Sequence, residues 1–189
     1  MAALVLHPDT VREPDSSRTV DERLEEAVRL TAAIGLDVVA SEVVRITDPK
    51  PATLLGVGKV EEVGMLLDAH EPRPQLIIVN GTLSPVQHRN LEKAWDAKVL
   101  DRTALILEIF GERAQTKEGT LQVALAHLTY QRSRLVRSWT HLERQRGGAG
   151  FLGGPGERQI EADRRELAKK IDRLKAQLEN VRRTRSLQR

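Results

Sequence analysis

The residues best suited to binding another molecule form a glycine-rich segment between two basic stretches. Residues 147–156 contain six glycines and Phe151. Successive glycine N–H groups can approach a phosphate closely, and a phenylalanine can stack on an unpaired base. The segment therefore favours contact with RNA, while a protein partner and a passive connector stay open as alternatives. The arginines that flank it are Arg144, Arg146, Arg158, Arg164 and Arg165.

Two helical patterns must position this segment. Apolar residues on one 4-3 spaced line precede it: Leu121, Leu125, Leu128, Leu135, Trp139 and Leu142. A second such line follows it: Ile160, Leu167, Ile171, Leu174, Leu178 and Val181. Two such seams joined by a short loop predict a long antiparallel two-helix coiled-coil hairpin, with residues 147–156 as its tip.

Charge is divided unevenly along the chain. The sequence has 30 Lys and Arg against 27 Asp and Glu, a net charge of +3. Residues 131–189 have 16 basic and 7 acidic residues, whereas residues 1–130 have 14 basic and 20 acidic residues. An acidic body with a basic, arginine-rich arm indicates a polyanionic partner, because the guanidinium group suits phosphate and stacks on bases.

A second candidate phosphate site is the turn that contains Gly56, Gly58 and Lys59. It resembles part of a phosphate-binding loop, but the full motif needs an earlier glycine and a Ser or Thr after the lysine. Those positions hold Thr53 and Val60. A structural strand-to-helix turn is the favoured interpretation, and a nucleotide-binding module is the alternative.

The first part of the chain alternates short apolar runs with helical patterns. Strands are predicted over residues 2–6, 37–46, 75–79 and 98–100, and helices are predicted to follow Thr19, Gly58 and Ser84. This alternation predicts an α/β fold, with a small mostly parallel sheet and flanking helices. The expected domains are residues 1–110, the α/β subdomain, and residues 111–189, the helical hairpin arm. Leu105, Ile106, Ile109 and Phe110 are expected to pack against the sheet, and Gly119 marks a junction or a hinge.

Several classes of site are excluded by composition. The chain has no cysteine, so it has neither disulfides nor thiolate metal sites, and its five histidines lack metalloprotease spacing. No metal site is predicted. No apolar run approaches the roughly 20 residues of a membrane span. The expected localisation is cytoplasmic.

Five segments resemble the HflX family of translational GTPases. They are GVGKVEE at 56–62, LSPVQHRNLE at 83–92, DRTALILEIF at 101–110, RAQTKEGTLQVALA at 113–126 and GGPGERQIEADRR at 153–165. The matches follow the family's order over nearly the whole chain. One departure is Asn80-Gly81, where the family usually has acidic residues before Leu-Ser-Pro.

The resemblance implies an N-terminal region that binds the large ribosomal subunit and helps to split or rescue stalled ribosomes under stress. In that family the hairpin loop reaches toward the peptidyl-transferase region of the ribosomal RNA. The expected contact residues are Arg144, Arg146, Gly147, Gly148, Gly150, Phe151, Gly153, Gly154, Pro155, Gly156, Glu157, Arg158, Arg164 and Arg165.

The resemblance also implies a GTPase domain after residue 189, with GTP and Mg²⁺ as cofactors of the parent protein. This chain has no complete phosphate-loop motif, so no catalytic site and no cofactor are expected within it. Because some family members have been credited with ATP binding outside the GTPase domain, the turn with Gly56, Gly58 and Lys59 is a candidate site for it. A monomer is expected, whereas a protein-interaction coiled coil would dimerise.

Overall fold

The computed structural model describes residues 1–10, 18–145 and 155–187, and of residues 135–145 and 155–161 it describes the backbone alone. The chain forms two compact units, Met1–Ile109 and Phe110–Arg189. No helix in the described ranges is long and apolar enough to span a membrane.

The first unit is built on a four-stranded parallel sheet. Its strands are β1 (Ala2–Thr10), β2 (Asp37–Ile46), β3 (Leu76–Val79) and β4 (Lys98–Asp101). They lie in the order β2-β1-β3-β4, and every neighbouring pair is parallel. β3 is buried at all four positions, as the apolar run Leu-Ile-Ile-Val predicts for a central parallel strand. The small parallel sheet predicted from the sequence is confirmed.

Helices cover both faces of this sheet. They are α1 (Val20–Ala32), α2 (Val57–Asp68), α3 (Pro85–Trp95) and the sheet-packed part of α4 (Arg102–Arg113). One core lies between the sheet and Val63, Leu67, Leu91 and Trp95 of α2 and α3. The other lies between the sheet and Ala27, Leu105 and Ile109 of α1 and α4. Thr19 and Ser84 both form the capping boxes that their sequences predict.

β1 is longer than its sequence predicts. The predicted strand stops at Leu6, but β1 continues through Pro8 to Thr10 and pairs with β2 over its whole length. Proline lacks an N–H group, so it is unfavourable within a ladder. The carbonyl oxygen of Leu6 accepts a hydrogen bond from Asn80 N, so the backbone of Leu6 faces β3. The backbone nitrogen of Pro8, two residues further along the strand, faces the same side. Because β3 ends opposite Leu6, the missing N–H of Pro8 removes no ladder bond.

One prediction about the core, the packing of α4 on the sheet, is wrong at a single residue. Leu105 and Ile109 are buried against the sheet, as expected, and Ile106 is partly buried. Phe110, which was expected to pack there too, is 58% exposed. One residue of an α-helix turns the side chain by about 100°, so Phe110 lies on a different face from Leu105 and Ile109.

The second unit contains two long helices, α5 (Lys117–Gln145) and α6 (Pro155–Leu187). Thr116 caps α5, because Gly119 N donates to Thr116 Oγ1 at 3.0 Å. Gly119 therefore lies in the first turn of α5 rather than in a helix interior. Its conformation needs no left-handed backbone, but a Cβ there would lie 3.0 Å from that same hydroxyl oxygen.

Candidate nucleic-acid interface

The contact between α5 and α6 uses the predicted apolar seams. Ile171 and Leu178 of α6 are buried, with 1% and 8% of their surface exposed. Leu121, Leu125 and Leu128 of α5 are partly buried, as are Leu167, Leu174 and Val181 of α6. Burial in the described part of α6 therefore follows the 4-3 spacing, whereas in α5 residues between the seam positions, such as Val123, are partly buried too.

A cluster of three charged residues, Glu118, Arg182 and Arg185, lies between the start of α5 and the end of α6. Glu118 Oε1 accepts from Arg182 Nε at 3.1 Å, and Glu118 Oε2 accepts from Arg185 Nη1 at 2.9 Å. Glu118 lies three residues before Leu121, and Arg185 lies four residues after Val181, so both continue the seam spacing. The first turn of α5 thus lies against the last turns of α6. Hydrogen bonds from Arg182 and Arg185 hold the pKa of the Glu118 carboxyl below its ordinary value.

The outer surface of α6 is rich in exposed basic side chains. Some of them have acidic neighbours on the same helix: Lys170 Nζ lies 2.8 Å from Glu166, and Arg183 Nη2 lies 3.5 Å from Glu179. The hydrogen bond from Lys170 holds the pKa of Glu166 below its ordinary value. The exposed basic residues in the described part of α6 are Arg164, Arg165, Lys169, Lys170, Arg173, Lys175, Arg182, Arg183 and Arg185.

The predicted tip lies mostly beyond what the structure describes. Arg146, Gly147, Gly148, Gly150, Phe151, Gly153 and Gly154 are outside the described residues. Arg144 is in the last turn of α5, and Glu157 and Arg158 are in the first turns of α6, all three without described side chains. The predicted loop, residues 147–156, extends two residues too far toward the C-terminus, because Pro155 and Gly156 already belong to α6. Proline is favoured at the first helical position, where its missing N–H has no intrahelical partner.

The Gly56–Lys59 turn of the first unit has a structural role in this chain. Gly56 is the N-cap of α2, and a Cβ at Gly56 or Gly58 would meet no atom within 4 Å. Lys59 donates to Glu42 of β2, and to Glu62 at 2.9 Å. Partial burial lowers the pKa of Lys59, but its two carboxylate partners outweigh that effect and raise the pKa above the ordinary value. Lys59 is thus already neutralised by this chain's own carboxylates.

A cleft of about 680 Å³ adjoins this turn at the carboxyl ends of β1 and β2. Its lining includes Asp9 and Asp21 as well as Arg45 and Lys59. Two carboxylates in the wall oppose the binding of a polyphosphate, because like charges repel. Among the described residues, no group of three or more His, Cys, Asp or Glu side chains is arranged to hold a metal ion.

The chain's own side chains occupy the carboxyl ends of β1 and β3, where the strand order reverses. In open α/β sheets this reversal of strand order is the usual place for a ligand. Here Asn80 Nδ2 donates to His7 Nδ1 at 3.1 Å and to Arg23 O at 3.2 Å, and both His7 and Asn80 are buried. At Gly81, a Cβ would lie 3.0 Å from Pro8 Cγ. The chain's own side chains therefore fill this position of the sheet.

Comparison with known proteins finds two family matches that meet near the boundary between the two units. Residues 21–111 match the family described as GTP-binding GTPase N-terminal, and residues 113–189 match the family described as GTP-binding GTPase Middle Region. A GTPase HflX from Magnetococcus marinus is 54% identical over 178 residues, which are 94% of this chain and 41% of that protein. The GTPase HflX of Escherichia coli strain K12 is 43% identical over 160 residues, covering 85% of this chain and 37% of that protein.

The chain belongs to the HflX family. It spans about two fifths of the length of these curated relatives. A solved structure described as SsGBP in complex with GDP resembles it with a TM-score of 0.69 and 19% identity. That likeness covers 98% of this chain and 46% of the other, and at this identity it concerns the fold alone.

In this HflX chain the structure brings together some of the predicted site residues. Arg164 and Arg165 share the exposed surface of α6 with further basic residues, whereas Gly56, Gly58 and Lys59 belong to the other unit. The sequence-based site omitted Glu118, Arg182 and Arg185. Their signal was present: extending each seam by one step reaches Glu118 at one end and Arg185 at the other. It was missed because the seams were ended at their outermost apolar residues, Leu121 and Val181.

Proposed function

We propose that this chain is the ribosome-binding region of an HflX-type GTPase. It binds the large ribosomal subunit through ribosomal RNA and takes part in splitting or rescuing stalled ribosomes. The observation that carries this proposal is the basic surface of α6 on an apolar seam, within a chain of the HflX family. Residues 131–189 have 16 basic and 7 acidic residues, which suits a phosphate-rich partner.

The proposed contact extends from the exposed basic side chains of α6 to the glycine-rich tip. In this arrangement α5 and α6 form an antiparallel coiled-coil hairpin, and the α/β unit acts as its scaffold. The pairing of Glu118 in α5 with Arg182 and Arg185 in α6 supports the antiparallel direction. We assign residues 1–110 to the scaffold and residues 111–189 to the arm, in a monomeric protein of the cytoplasm.

GTP hydrolysis belongs, in this proposal, to the part of the parent protein outside this chain. The relatives are named GTPases, and SsGBP was solved with GDP. No Gly-x-x-x-x-Gly-Lys-Ser/Thr motif occurs in these residues. We therefore place GTP and Mg²⁺ with the whole protein, and binding to the ribosome with this region.

The test is co-sedimentation of this chain with purified large ribosomal subunits at about 50 mM and about 200 mM KCl, since electrostatic binding weakens steeply over that range. One variant replaces residues 147–154 with a Gly-Ser sequence of equal length, which leaves Pro155 to start α6. A second carries Arg164→Gln and Arg165→Gln. Its matched control, Arg45→Gln with Lys98→Gln, removes two exposed positive charges from the α/β unit.

We expect salt-sensitive binding that the tip replacement and the α6 variant both weaken and that the control preserves. For the α6 variant, the log–log salt slope should fall by about 0.7–0.9 for each phosphate that the chain no longer neutralises. Absence of binding, or equally weakened binding in the α6 variant and its control, would refute the proposal.

A further inference from the structure

The end of α6 carries a concentration of arginines that the tip does not explain. Arg182, Arg183 and Arg185 fall within four residues, and all three are exposed. Arg183 is directed to Glu179 of its own helix, with 3.5 Å between the charged groups. Arg182 and Arg185 instead share one carboxylate on α5. Arg182 and Arg185 are therefore a pair that shares one partner, whereas the partner of Arg183 lies on its own helix.

Glu118 is bound by these two arginines in the way that they would bind a phosphate. Each oxygen of its carboxylate accepts from a different guanidinium group, at 3.1 Å from Arg182 Nε and 2.9 Å from Arg185 Nη1. The two non-bridging oxygens of a phosphodiester can make the same bridge, and guanidinium groups favour such paired contacts with carboxylate and phosphate alike. The carboxylate thus marks an anion position between the two side chains.

The site is open on the arginine side. The Arg182 and Arg185 side chains are 59% and 67% exposed, whereas that of Glu118 is 19% exposed. A cleft of about 480 Å³ is lined by these three residues and by Ser186, whose hydroxyl can donate a further hydrogen bond. Glu118 uses one N–H of each guanidinium, so the other donors of both groups are left for a ligand.

We propose that Arg182 and Arg185 form a second phosphate-binding site, for a nucleic-acid backbone, and that Glu118 occupies this site until such a phosphate displaces it. This inference rests on the proposed function and adds a contact far along α6 from the tip. Displacement exchanges one ion pair for another, so the arginines keep a charged partner throughout. Release of counterions from the nucleic acid then favours the exchange, most of all at low salt.

The experiment measures fluorescence anisotropy of a labelled single-stranded oligouridine titrated with the full chain. Glu118→Gln removes the competing charge with almost no change in shape. We expect it to bind about two- to thirtyfold more tightly at low salt, the range that follows from removing two exposed ion pairs. The log–log salt slope should steepen by about 0.7 for each additional phosphate engaged.

The matched control is Glu179→Gln, which makes the same charge change next to Arg183 only. Its increase in affinity should be smaller, and adding Arg182→Gln and Arg185→Gln to Glu118→Gln should abolish the increase. If Glu118→Gln binds no more tightly than wild type, or no more tightly than the control, the inference is wrong and the cluster only stabilises the helices.

Two further arms complete the test. If Glu118→Gln has weaker helical circular dichroism, the Arg182→Gln/Arg185→Gln variant decides: a salt slope reduced relative to wild type supports the site, and an unchanged slope refutes it. Inorganic phosphate at matched ionic strength should displace oligouridine somewhat better than chloride does, because two guanidinium groups can bind any phosphate, but only far above the oligomer's own concentration. Displacement at concentrations similar to the oligomer's would refute the preference for a nucleic-acid backbone.

Failure of this site is distinguishable from failure of the proposed function. If wild type does not sediment with large subunits but Glu118→Gln still binds oligouridine more tightly, the ribosomal proposal fails and the site stands. If wild type sediments with large subunits but Glu118→Gln binds oligouridine no more tightly, only the site fails.

Discussion

Replacing Ile171 with alanine tests whether the seam between α5 and α6 stabilises the second unit. Ile171 is 1% exposed, so nearly its whole side chain is removed from water on folding. The substitution removes three carbon groups at about 0.8 kcal/mol each, and the cavity left behind adds to the destabilisation. We expect the free energy of unfolding to fall by about 2–5 kcal/mol.

Thermal unfolding followed by far-UV circular dichroism measures this effect, because α5 and α6 are 29 and 33 residues long and dominate the helical signal. The Tm of a unit of this size falls by about 4–8 °C per kcal/mol, so the midpoint should fall by at least about 8 °C. The matched control is Lys175→Ala, one turn further along α6 at an exposed position, which should change stability by less than about 0.5 kcal/mol. Equal midpoints for the two variants would refute the conclusion that Ile171 lies in a stabilising contact.

Three other predictions concern polar contacts. Because the pKa of Glu118 is lowered in the folded state, its contribution to stability should be complete above the ordinary value of 4.5 and should disappear as the pH falls through the lower folded value. The Tm difference between wild type and Glu118→Gln should therefore shrink in acid; a difference that grows there would contradict the assignment. Asn80→Ala leaves the buried His7 ring without this donor and should cost about 1–3 kcal/mol in urea unfolding, whereas exposed Asn180→Ala should cost far less. Ser84→Ala breaks a capping box and should cost about 1 kcal/mol, measured in the same way, and a neutral result would show that the cap adds nothing.

Local features of the fold could be predicted from the sequence because each depends on neighbouring residues. Thr19 with Glu22, and Ser84 with Gln87, specify their caps within four residues, and both boxes form. The run 76–79 is apolar at every position and forms the buried strand that such a run indicates. In each case the chemistry that decides the structure is visible within one short window of sequence.

Features that depend on distant residues were predicted less well. The continuation of β1 through Pro8 depends on where β3 ends, more than 60 residues later in the sequence. The pairing of Glu118 with Arg182 depends on the alignment of two helices and joins residues 64 positions apart. Neither is encoded in a local pattern, although one further step of the seam spacing beyond Leu121 and Val181 reaches Glu118 and Arg185.

The candidate site shows the same contrast between local features and features that depend on distant residues. The basic character of α6 could be counted from the sequence, because charge needs no geometry. Which arginines share a partner could not be predicted from the sequence. Arg182 and Arg185 are three residues apart, and many exposed arginine pairs on helices have the same spacing without sharing a partner. Only the position of Glu118 on the other helix joins them. Charge alone therefore identifies a basic helix, but not which of its arginines share a partner.

The buried seam and the exposed basic side chains lie on different faces over much of the described part of α6. Lys169 precedes Ile171 by two residues and Arg173 follows it by two, so each lies about 160° from Ile171 around the helix. Basic residues at such positions can change without disturbing the seam. Arg185 differs, because it lies on the seam line itself and is bound by the carboxylate that also holds Arg182. If a phosphate displaces Glu118 there, as we propose, the two ion pairs between the helices are lost, and binding would then be coupled to helix pairing at that end of α6.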